Sequence, residues 1–315
     1  MQVRVFGACP ACSCGQSSGA YRPNRVALDR FIELSRIKYQ GLMDEWVYHL
    51  GLEIRECNRC RHLWYRSQPD EESLGKMYDA SRPLFPEPSE WKLPRPILRD
   101  LRALCRLMRW SGVSRPGLLD YGSGKGSSVR AAAQAGFRVC AYEPSRERAK
   151  KLTDVSGVRV VYHLEEIAGE TFDVVNLEQV LEHTQCPLEI LTSLRAYCRP
   201  QTILRVAVPN IARYRGNGDM WSGFPFNGKI HIMSPYEHLQ GFNPVSLRVV
   251  LARAGLTTDC GVVLWVTNPV FLIRSLAGYL FSPLQQTLAF VRFIEDHGRV
   301  SRSMSRTVVE SRAMG

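Results

Sequence analysis

Short apolar segments alternate with amphipathic segments along the middle of the chain. The apolar segments are roughly four to eight residues long, the length of a buried strand. The amphipathic segments repeat their apolar residues every three or four positions, which is typical of helices. This alternation predicts an α/β fold with a doubly wound, mostly parallel sheet covered by helices on both faces. The predicted strands are GLLDY, FRVCAY, RVVYH, FDVVNL, TILRVAVP and GVVLWV, and the predicted helices are 127–136, 145–155, 187–198 and 244–254.

The sequence divides into four parts, of which the α/β core is the third. The first part has apolar residues at helical spacing between two pairs of cysteines, and a proline-rich connector and an arginine-rich helix follow it. A last apolar segment, interpreted as a helix, ends in a polar tail that we expect to be mobile, as chain ends often are. The predicted parts are 1–85 for a small N-terminal domain with a helical insert, 86–116 for the connector and basic helix, 117–266 for the α/β core, and 267–315 for a helical extension and tail.

The run from Leu118 to Pro144 carries the strongest chemical signal in the chain. It reads LLDYGSGKGSSVRAAAQAGFRVCAYEP, in which a strand ends at Asp120, glycines follow at alternate positions, and a second strand ends at Glu143. Glycine lacks Cβ, so the backbone here can turn sharply and approach a flat ligand closely. Asp120 could hold an ammonium group, directly or through water, and the Glu143 carboxylate could accept both hydroxyls of a ribose. An α-amino acid joined to a ribose is S-adenosylmethionine, whereas the G-x-G-x-x-G spacing that a dehydrogenase would need is absent.

The same run resembles motif I and the following acidic strand end of class I S-adenosylmethionine-dependent methyltransferases, which have a Rossmann-like core. FDVVNLEQVLEH, RPQTILRVAVPN and YEHLQGFNPVSLRVVLARAGL resemble later segments of that family in the same order, so the resemblance covers about residues 115–265. It implies methyl transfer to a small-molecule acceptor, such as an anionic sugar nucleotide or an envelope or secondary-metabolite precursor. The implied cofactor-binding residues are Asp120, Tyr121, Gly122, Gly124, Gly126, Glu143, Pro144, Leu164, Asn176 and Glu178.

Candidate catalytic residues lie after the fourth and fifth predicted strands. A base helps methyl transfer when the acceptor is a hydroxyl or an acidic carbon, and His238 is the first candidate because its pKa range suits that role. Tyr236 and His183 are named with it, and His231 is a second choice. The Tyr-x-His arrangement also resembles a motif of C-methyltransferases that act on deoxysugar nucleotides and carry an N-terminal zinc ribbon. The aromatic segment 211–243 is the predicted acceptor-binding region.

Ten cysteines suggest a metal site rather than disulfides. Cys9 with Cys12 and Cys57 with Cys60 form two C-x-x-C pairs, and two such pairs can converge on one tetrahedral Zn²⁺. Cys14 is a possible substitute ligand, and ordinary unligated thiols are the alternative. Four thiolates leave no open position on the ion, so the predicted zinc is structural.

Composition and charge fit a soluble enzyme but leave its partners open. The chain has 315 residues, a net charge of +11 and no uninterrupted apolar run of membrane-spanning length. The N-terminus lacks the apolar core of a secretory signal, so we expect a cytoplasmic location. Arginines between 95 and 109 share one helical face, which favours a solvated surface and allows nucleic acid or a peripheral membrane as a partner. An RNA methyltransferase and a non-catalytic cofactor-binding interaction protein are therefore the alternative functions, and the oligomeric state stays open.

Overall fold

The computed structural model describes residues 2–81, 95–212, 221, 232–257 and 286–293. The N-terminal part contains five short strands and three helices before the connector. Their bounds are β1 Val3–Val5, β2 Ser17–Tyr21, α1 Arg25–Tyr39, α2 Asp44–Leu50, β3 Ile54–Cys57, β4 Leu63–Tyr65, β5 Ser67–Pro69 and α3 Glu71–Ala80. The helical insert predicted between the two cysteine pairs is thus present as α1 and α2.

The remaining elements alternate as the apolar pattern predicts. They are α4 Arg95–Trp110, β6 Gly117–Tyr121, α5 Ser127–Ala135, β7 Arg138–Tyr142, α6 Arg146–Ala149, β8 Arg159–Val161, β9 Phe172–Glu178, α7 Pro187–Ser193, β10 Cys198–Pro209, β11 Gln240–Gly241, α8 Pro244–Arg253, β12 Leu256–Thr257 and β13 Gln286–Phe293. Single 3₁₀ turns span Lys150–Leu152, Leu164–Ile167, Leu181–His183 and Leu194–Tyr197. No described helix is both long and apolar enough to cross a membrane.

Seven strands form the central sheet in the order β12-β13-β10-β9-β6-β7-β8. The five strands from β10 to β8 are parallel, and β13 runs antiparallel to β10 and to β12. The predicted doubly wound, mostly parallel sheet is therefore confirmed. Parallel strands bring their carboxyl ends to one edge, so the residues that follow β6, β7, β9 and β10 meet there.

The antiparallel strand β13 corrects one sequence prediction. The apolar pattern assigns residues 286–293 to a C-terminal helical extension, and this is wrong for these residues because they pair with β10 along Leu204–Pro209. A short apolar run lacks the length that separates a strand from a buried helix. The predicted strand GVVLWV and the rest of the extension and tail lie outside the described residues.

A strand from late in the chain completes the N-terminal sheet. That sheet has the order β11-β4-β3-β2, and β11 pairs with β4 through Gln240 opposite Trp64 and Gly241 opposite Leu63. Beside this junction, Tyr65 and Tyr236 belong to one buried apolar cluster with residues of α1 and α2. The N-terminal part is therefore joined to the α/β core by shared backbone pairing as well as by side-chain packing.

Candidate active site

The glycine loop after β6 turns where L side chains are strained. Gly122, Gly124 and Gly126 have φ angles of 72°, 53° and 87°. A Cβ on Gly122 would lie 3.0 Å from Cγ2 of Val180, the residue that leads into the 3₁₀ turn 181–183. A Cβ on Gly124 would meet nothing within 4 Å, so this part of the loop faces open space. The loop therefore packs against the segment after β9 and leaves one backbone surface able to approach a ligand.

Gly126 is the tightest of the three glycines. A Cβ there would overlap with Cδ2 of Leu152. We expect Gly126→Ala to lower the free energy of unfolding by about 1–3 kcal/mol, because both the left-handed backbone and the contact oppose the methyl group. Gly157→Ala is the matched control, since Gly157 has φ of 76° and open space around its Cβ position. Urea unfolding measures both variants. If Gly126→Ala and Gly157→Ala lose the same free energy of unfolding, the packing against Leu152 contributes nothing.

Glu143 ties the glycine loop to the turn after β7. Its buried carboxylate accepts hydrogen bonds from the Gly124 amide at 2.7 Å and from the Ser145 amide at 3.0 Å. A carboxylate offers about four lone-pair positions, so two remain for hydroxyl donors. Glu143 thus orders the loop and keeps hydrogen-bonding capacity of the kind the sequence assigned to a ribose.

Asp120 points into a buried polar network. One carboxylate oxygen accepts from Asn176 at 2.6 Å and the other accepts from the Ser128 hydroxyl at 2.9 Å. The Asn176 carbonyl oxygen accepts in turn from Arg205 at 3.0 Å. Burial raises the pKa of the Asp120 carboxyl, and the hydrogen bonds from Asn176 and Ser128 oppose that effect. In the described structure Asp120 therefore orients the ends of β6 and β9, and its predicted contact with an ammonium group stays a prediction.

Arg205 is the centre of that network and was not predicted from the sequence. Its side chain is 2% exposed, and its guanidinium contacts the carboxylates of Glu178 and Asp100, the latter at 3.3 Å. Glu178 is thus engaged across the strand pair β9–β10. An arginine inside the apolar strand TILRVAVP was the available signal, because a buried charge in a central strand needs partners.

Three titratable side chains converge beyond the end of β9. A carboxylate oxygen of Glu182 and one ring nitrogen from each of His183 and His238 lie within 4.8 Å of one another. The two imidazole rings meet edge to face with centroids 4.6 Å apart. Glu182 is 1% exposed, whereas both histidines are only partly buried. We name these three residues the histidine–glutamate cluster.

Backbone carbonyls fix the tautomers of both histidines. Nδ1 of His183 lies 2.7 Å from the Glu237 carbonyl, and Nδ1 of His238 lies 2.7 Å from the Ile232 carbonyl. A carbonyl can only accept, so both Nδ1 atoms carry hydrogen and both Nε2 atoms of the neutral rings keep a lone pair. Burial lowers the pKa of each imidazole, which favours these neutral forms at pH 7.

Helix α3 connects this cluster to the turn after β7. The Tyr78 hydroxyl lies 3.0 Å from Nδ1 of His183, and the Arg148 guanidinium lies 4.6 Å from the centre of the Tyr78 ring. The neighbouring Asp79 accepts a hydrogen bond from the Ser145 hydroxyl at 2.8 Å. The end of α3 therefore spans the distance from the Glu143 turn to His183, which places both at one edge of the sheet.

Glu237 contacts the histidine–glutamate cluster through its backbone and forms an ion pair through its side chain. Burial alone would raise the pKa of its carboxyl, but the Lys38 ammonium 2.5 Å away lowers it to about 2. The ion pair holds the backbone whose carbonyl accepts from His183. Neither Lys38 nor Tyr78 was predicted, because both come from the N-terminal helices, far from His183 in sequence.

Tyr236 is not brought together with the two histidines. Its hydroxyl donates to the Trp46 carbonyl at 3.1 Å, and its ring packs against Phe31, Trp46 and Tyr65. A phenol engaged with backbone carbonyls inside the core is poorly placed to exchange a proton with an acceptor. His231 and most of the predicted acceptor-binding region, residues 213–220 and 222–231, lie outside the described residues.

The other predicted cofactor residues lie along the same sheet edge. Tyr121 is buried with its ring centre 4.9 Å from that of Tyr142, and Pro144 is exposed directly after Glu143. Leu164 opens the 3₁₀ turn after β8, and its carbonyl accepts from the Tyr197 hydroxyl at 3.3 Å. Their contacts with a bound cofactor stay a prediction.

The four predicted zinc-binding cysteines form a second cluster. The sulfur atoms of Cys9, Cys12, Cys57 and Cys60 all lie within 4.8 Å of one another. Burial destabilises the thiolate and so raises the pKa of the Cys12 thiol to about 12. A bound cation would offset this effect by stabilising the thiolate. The Cys14 sulfur instead contacts the backbone of Gln16 and is not a member of the cluster.

The two C-x-x-C turns have the same backbone hydrogen bond and the same left-handed residue. The amide of Ser13 donates to the Cys9 carbonyl at 2.8 Å, and the amide of Arg61 donates to the Cys57 carbonyl at 3.0 Å. Ser13 and Arg61 both have φ of 58°. Asn243, which caps α8, also donates to the Arg61 carbonyl at 2.9 Å, so the second turn is docked on the α/β core.

Comparison with known proteins identifies the family. A family model described as a methyltransferase domain matches residues 97–260, more than half of the chain. The chain therefore belongs to this family of methyltransferase domains. A search of curated protein sequences returned no significant match.

Solved structures with a similar fold include three methyltransferases. The mitomycin 7-O-methyltransferase MmcR is 14% identical, with a TM-score of 0.43, over 71% of this chain and 59% of that one. The plantazolicin methyltransferase BamL, in complex with a triazolic desmethylPZN analog and SAH, is 10% identical, with a TM-score of 0.47, over 85% and 96%. The 1,6-didemethyltoxoflavin-N1-methyltransferase of Burkholderia thailandensis is 21% identical, with a TM-score of 0.34, over 52% and 71%. The chain thus spans about three fifths of the length of MmcR.

Proposed function

We propose that this methyltransferase acts on a small-molecule acceptor held between the glycine loop and the histidine–glutamate cluster. The observation that carries the proposal is the position of Tyr78, which lies 3.0 Å from Nδ1 of His183 while its ring contacts Arg148 in the helix after Glu143. The cofactor edge and the cluster are thereby neighbours, as transfer between a bound donor and a bound acceptor requires.

The residues proposed to hold the cofactor fit it chemically. S-adenosylmethionine supplies a methyl group on a sulfonium sulfur, which is a good leaving group. The Glu143 carboxylate has lone pairs for ribose hydroxyls, and Gly124 leaves space for close approach of the backbone. Tyr121, Asn176 and Leu164 lie along the same edge. The ten residues that the sequence assigns to the cofactor are the proposed S-adenosylmethionine-binding residues.

The proposed reaction is an in-line displacement in which the protein mainly aligns the acceptor. The acceptor atom forms a bond to the methyl carbon as the carbon–sulfur bond breaks, and an acceptor hydroxyl or acidic carbon must lose a proton. The Nε2 lone pair of either His238 or His183 receives that proton. The Tyr78 hydroxyl and the Glu237 carbonyl hold His183 in place for this role.

Replacement of Glu143 tests the cofactor site directly. We expect Glu143→Ala to weaken S-adenosylhomocysteine binding by about 1–3 kcal/mol, because charge-assisted hydrogen bonds are lost. Isothermal titration calorimetry measures this effect. Glu147→Ala is the matched control, since Glu147 is an exposed acid in α6 that pairs with Lys150. Equal affinities in the two variants would overturn the ribose assignment.

Labelled methyl transfer into a cell extract tests the acceptor class. We expect label from S-adenosylmethionine in small, nuclease-resistant metabolites, with extract that lacks the added protein as the blank. Label in a large, ribonuclease-sensitive fraction would favour the RNA alternative, and cofactor binding without any transfer would favour the non-catalytic one. Nothing among the described residues favours either alternative over a small molecule.

We also propose that the four-cysteine cluster holds a structural Zn²⁺. Tetrahedral thiolate coordination matches two C-x-x-C turns whose sulfur atoms converge, and it leaves no position for a reacting water. The contacts of Asn243 and Arg253 with the two turns make the site a link between the N-terminal sheet and α8.

A further inference from the structure

We propose that the histidine–glutamate cluster is a second, catalytic metal site that binds a divalent transition-metal ion through Glu182, His183 and His238. The ligand atoms of these residues lie within 4.8 Å of one another. Ligands at the usual 2.0–2.2 Å from an ion stand roughly 3–4 Å apart, so shifts of about 1 Å in the side chains would close the site.

Both histidines are already held in the form that ligates metals. A metal-binding imidazole commonly donates its other ring N–H to a carbonyl or carboxylate, which fixes the tautomer and aims the free lone pair. Here Nδ1 of His183 donates to the Glu237 carbonyl and Nδ1 of His238 donates to the Ile232 carbonyl, each at 2.7 Å. These carbonyl contacts leave the Nε2 lone pair of each ring available for a metal ion.

Glu182 is the independent observation that points to a cation. Its side chain is 1% exposed, and neither carboxylate oxygen has a hydrogen-bond partner among the described residues. Within the same residues, the one basic side-chain nitrogen within 4.0 Å of this carboxylate is Nε2 of His183 at 3.9 Å, and that ring is neutral. A buried carboxylate without donors is costly, and a bound cation removes that cost.

The donor set defines the kind of ion. Two imidazoles and one carboxylate favour ions such as Zn²⁺, Fe²⁺, Co²⁺ or Mn²⁺, and three protein ligands leave positions open for another molecule. The partial exposure of both histidines provides access to those positions. In the four-cysteine cluster, by contrast, the four thiolates would fill every coordination position of a tetrahedral ion.

The site implies a class of acceptor, and this extension rests on the proposed function. An acceptor with a hydroxyl, enol or phenol oxygen could occupy an open position, where the ion lowers the pKa of that oxygen and the proton leaves to solvent. His183 and His238 then act as ligands, and the free-base role described above applies only to the metal-free protein.

Cobalt binding to the full-length protein that carries one zinc per chain by elemental analysis tests the site without cofactor or acceptor. Because zinc already fills the four-cysteine cluster, added Co²⁺ should bind once more per chain and show visible d–d absorption without a thiolate-to-metal charge-transfer band. We expect Glu182→Gln and His238→Gln each to weaken Co²⁺ binding at least about tenfold in calorimetric titration. Glu189→Gln, which alters an acid in α7, should bind Co²⁺ as the wild type does.

The outcomes separate this inference from the proposed function. No Co²⁺ binding beyond the zinc, or equal binding in the wild type and both cluster variants, overturns the metal site even if methyl transfer occurs. Specific Co²⁺ binding supports the site even if no methyl transfer is found, in which case the proposed function fails alone. Circular dichroism of each variant shows that it is folded, and the two substitutions report independently.

Discussion

Cys57→Ser is expected to release one zinc ion per chain and to unfold the N-terminal sheet. Structural zinc in small domains contributes on the order of 10–16 kcal/mol of apparent binding free energy at neutral pH. Cys57 ends β3 and is buried within the cysteine cluster, so a serine there removes one of four ligands and leaves three thiols in a dry site. Elemental analysis of the purified protein and thermal unfolding measure the two effects.

Cys14→Ser provides the matched control for that experiment. Cys14 lies two residues beyond Cys12, is partly exposed, and contacts Gln16 rather than the cluster. We expect it to keep both the zinc and the unfolding temperature of the wild type. A wild-type protein that is folded and free of metal would refute the zinc assignment, and zinc loss in Cys14→Ser would change the ligand set.

Arg205→Met is expected to lower the free energy of unfolding by about 3–5 kcal/mol, since removal of one partner leaves buried charges uncompensated. The guanidinium is 2% exposed and lies between Glu178 and Asp100 while donating to Asn176. The same substitution loosens Asn176, which orients Asp120 at the glycine loop. We therefore expect weaker S-adenosylhomocysteine binding together with a lower urea midpoint.

Arg199→Met tests whether the effect comes from burial rather than from charge alone. Arg199 also stands on β10 and lies 3.4 Å from Asp173, but its side chain is 45% exposed. Exposed pairs contribute about 0–1 kcal/mol, so this variant should remain close to the wild type. Arg205→Lys should fall between them, because it keeps the charge and loses the planar fork that reaches both carboxylates. Similar losses in Arg199→Met and Arg205→Met would contradict the assigned network.

The fold was predictable from the sequence wherever a local residue pattern is typical of a single strand, helix or turn. Glycine spacing and the acids at two strand ends located β6, the loop and β7, and the paired cysteines located their own cluster. β13 was not predictable in this way, because a strand that enters a sheet from a distant part of the chain leaves only a short apolar run. Its partner β10 was assigned correctly since its apolar run is longer.

Two of the three residues of the histidine–glutamate cluster were named from the sequence, but their contacts were not. His183 and His238 were both named, yet their contact depends on how the segment that precedes β11 packs against the turn after β9. Glu182 was missed although it precedes His183, because nothing in the sequence shows that its carboxylate is buried without donors. Asp120 lies near the end of β6, as its strand pattern predicted, whereas its hydrogen bonds to Ser128 and Asn176 could be seen only in three dimensions.

The strand β11 also sets the order in which the nascent chain can mature. His62 and Gln240 share a hydrogen bond at 2.8 Å across 178 positions of sequence. Ribosomes add roughly 5–20 residues per second, so the N-terminal sheet waits on the order of ten to thirty seconds for its last strand. During that interval the edge of β4 and the apolar surface around Tyr65 stay uncovered. Unpaired strand edges and exposed apolar surface favour misassembly, so the nascent chain is most prone to misfold during that interval.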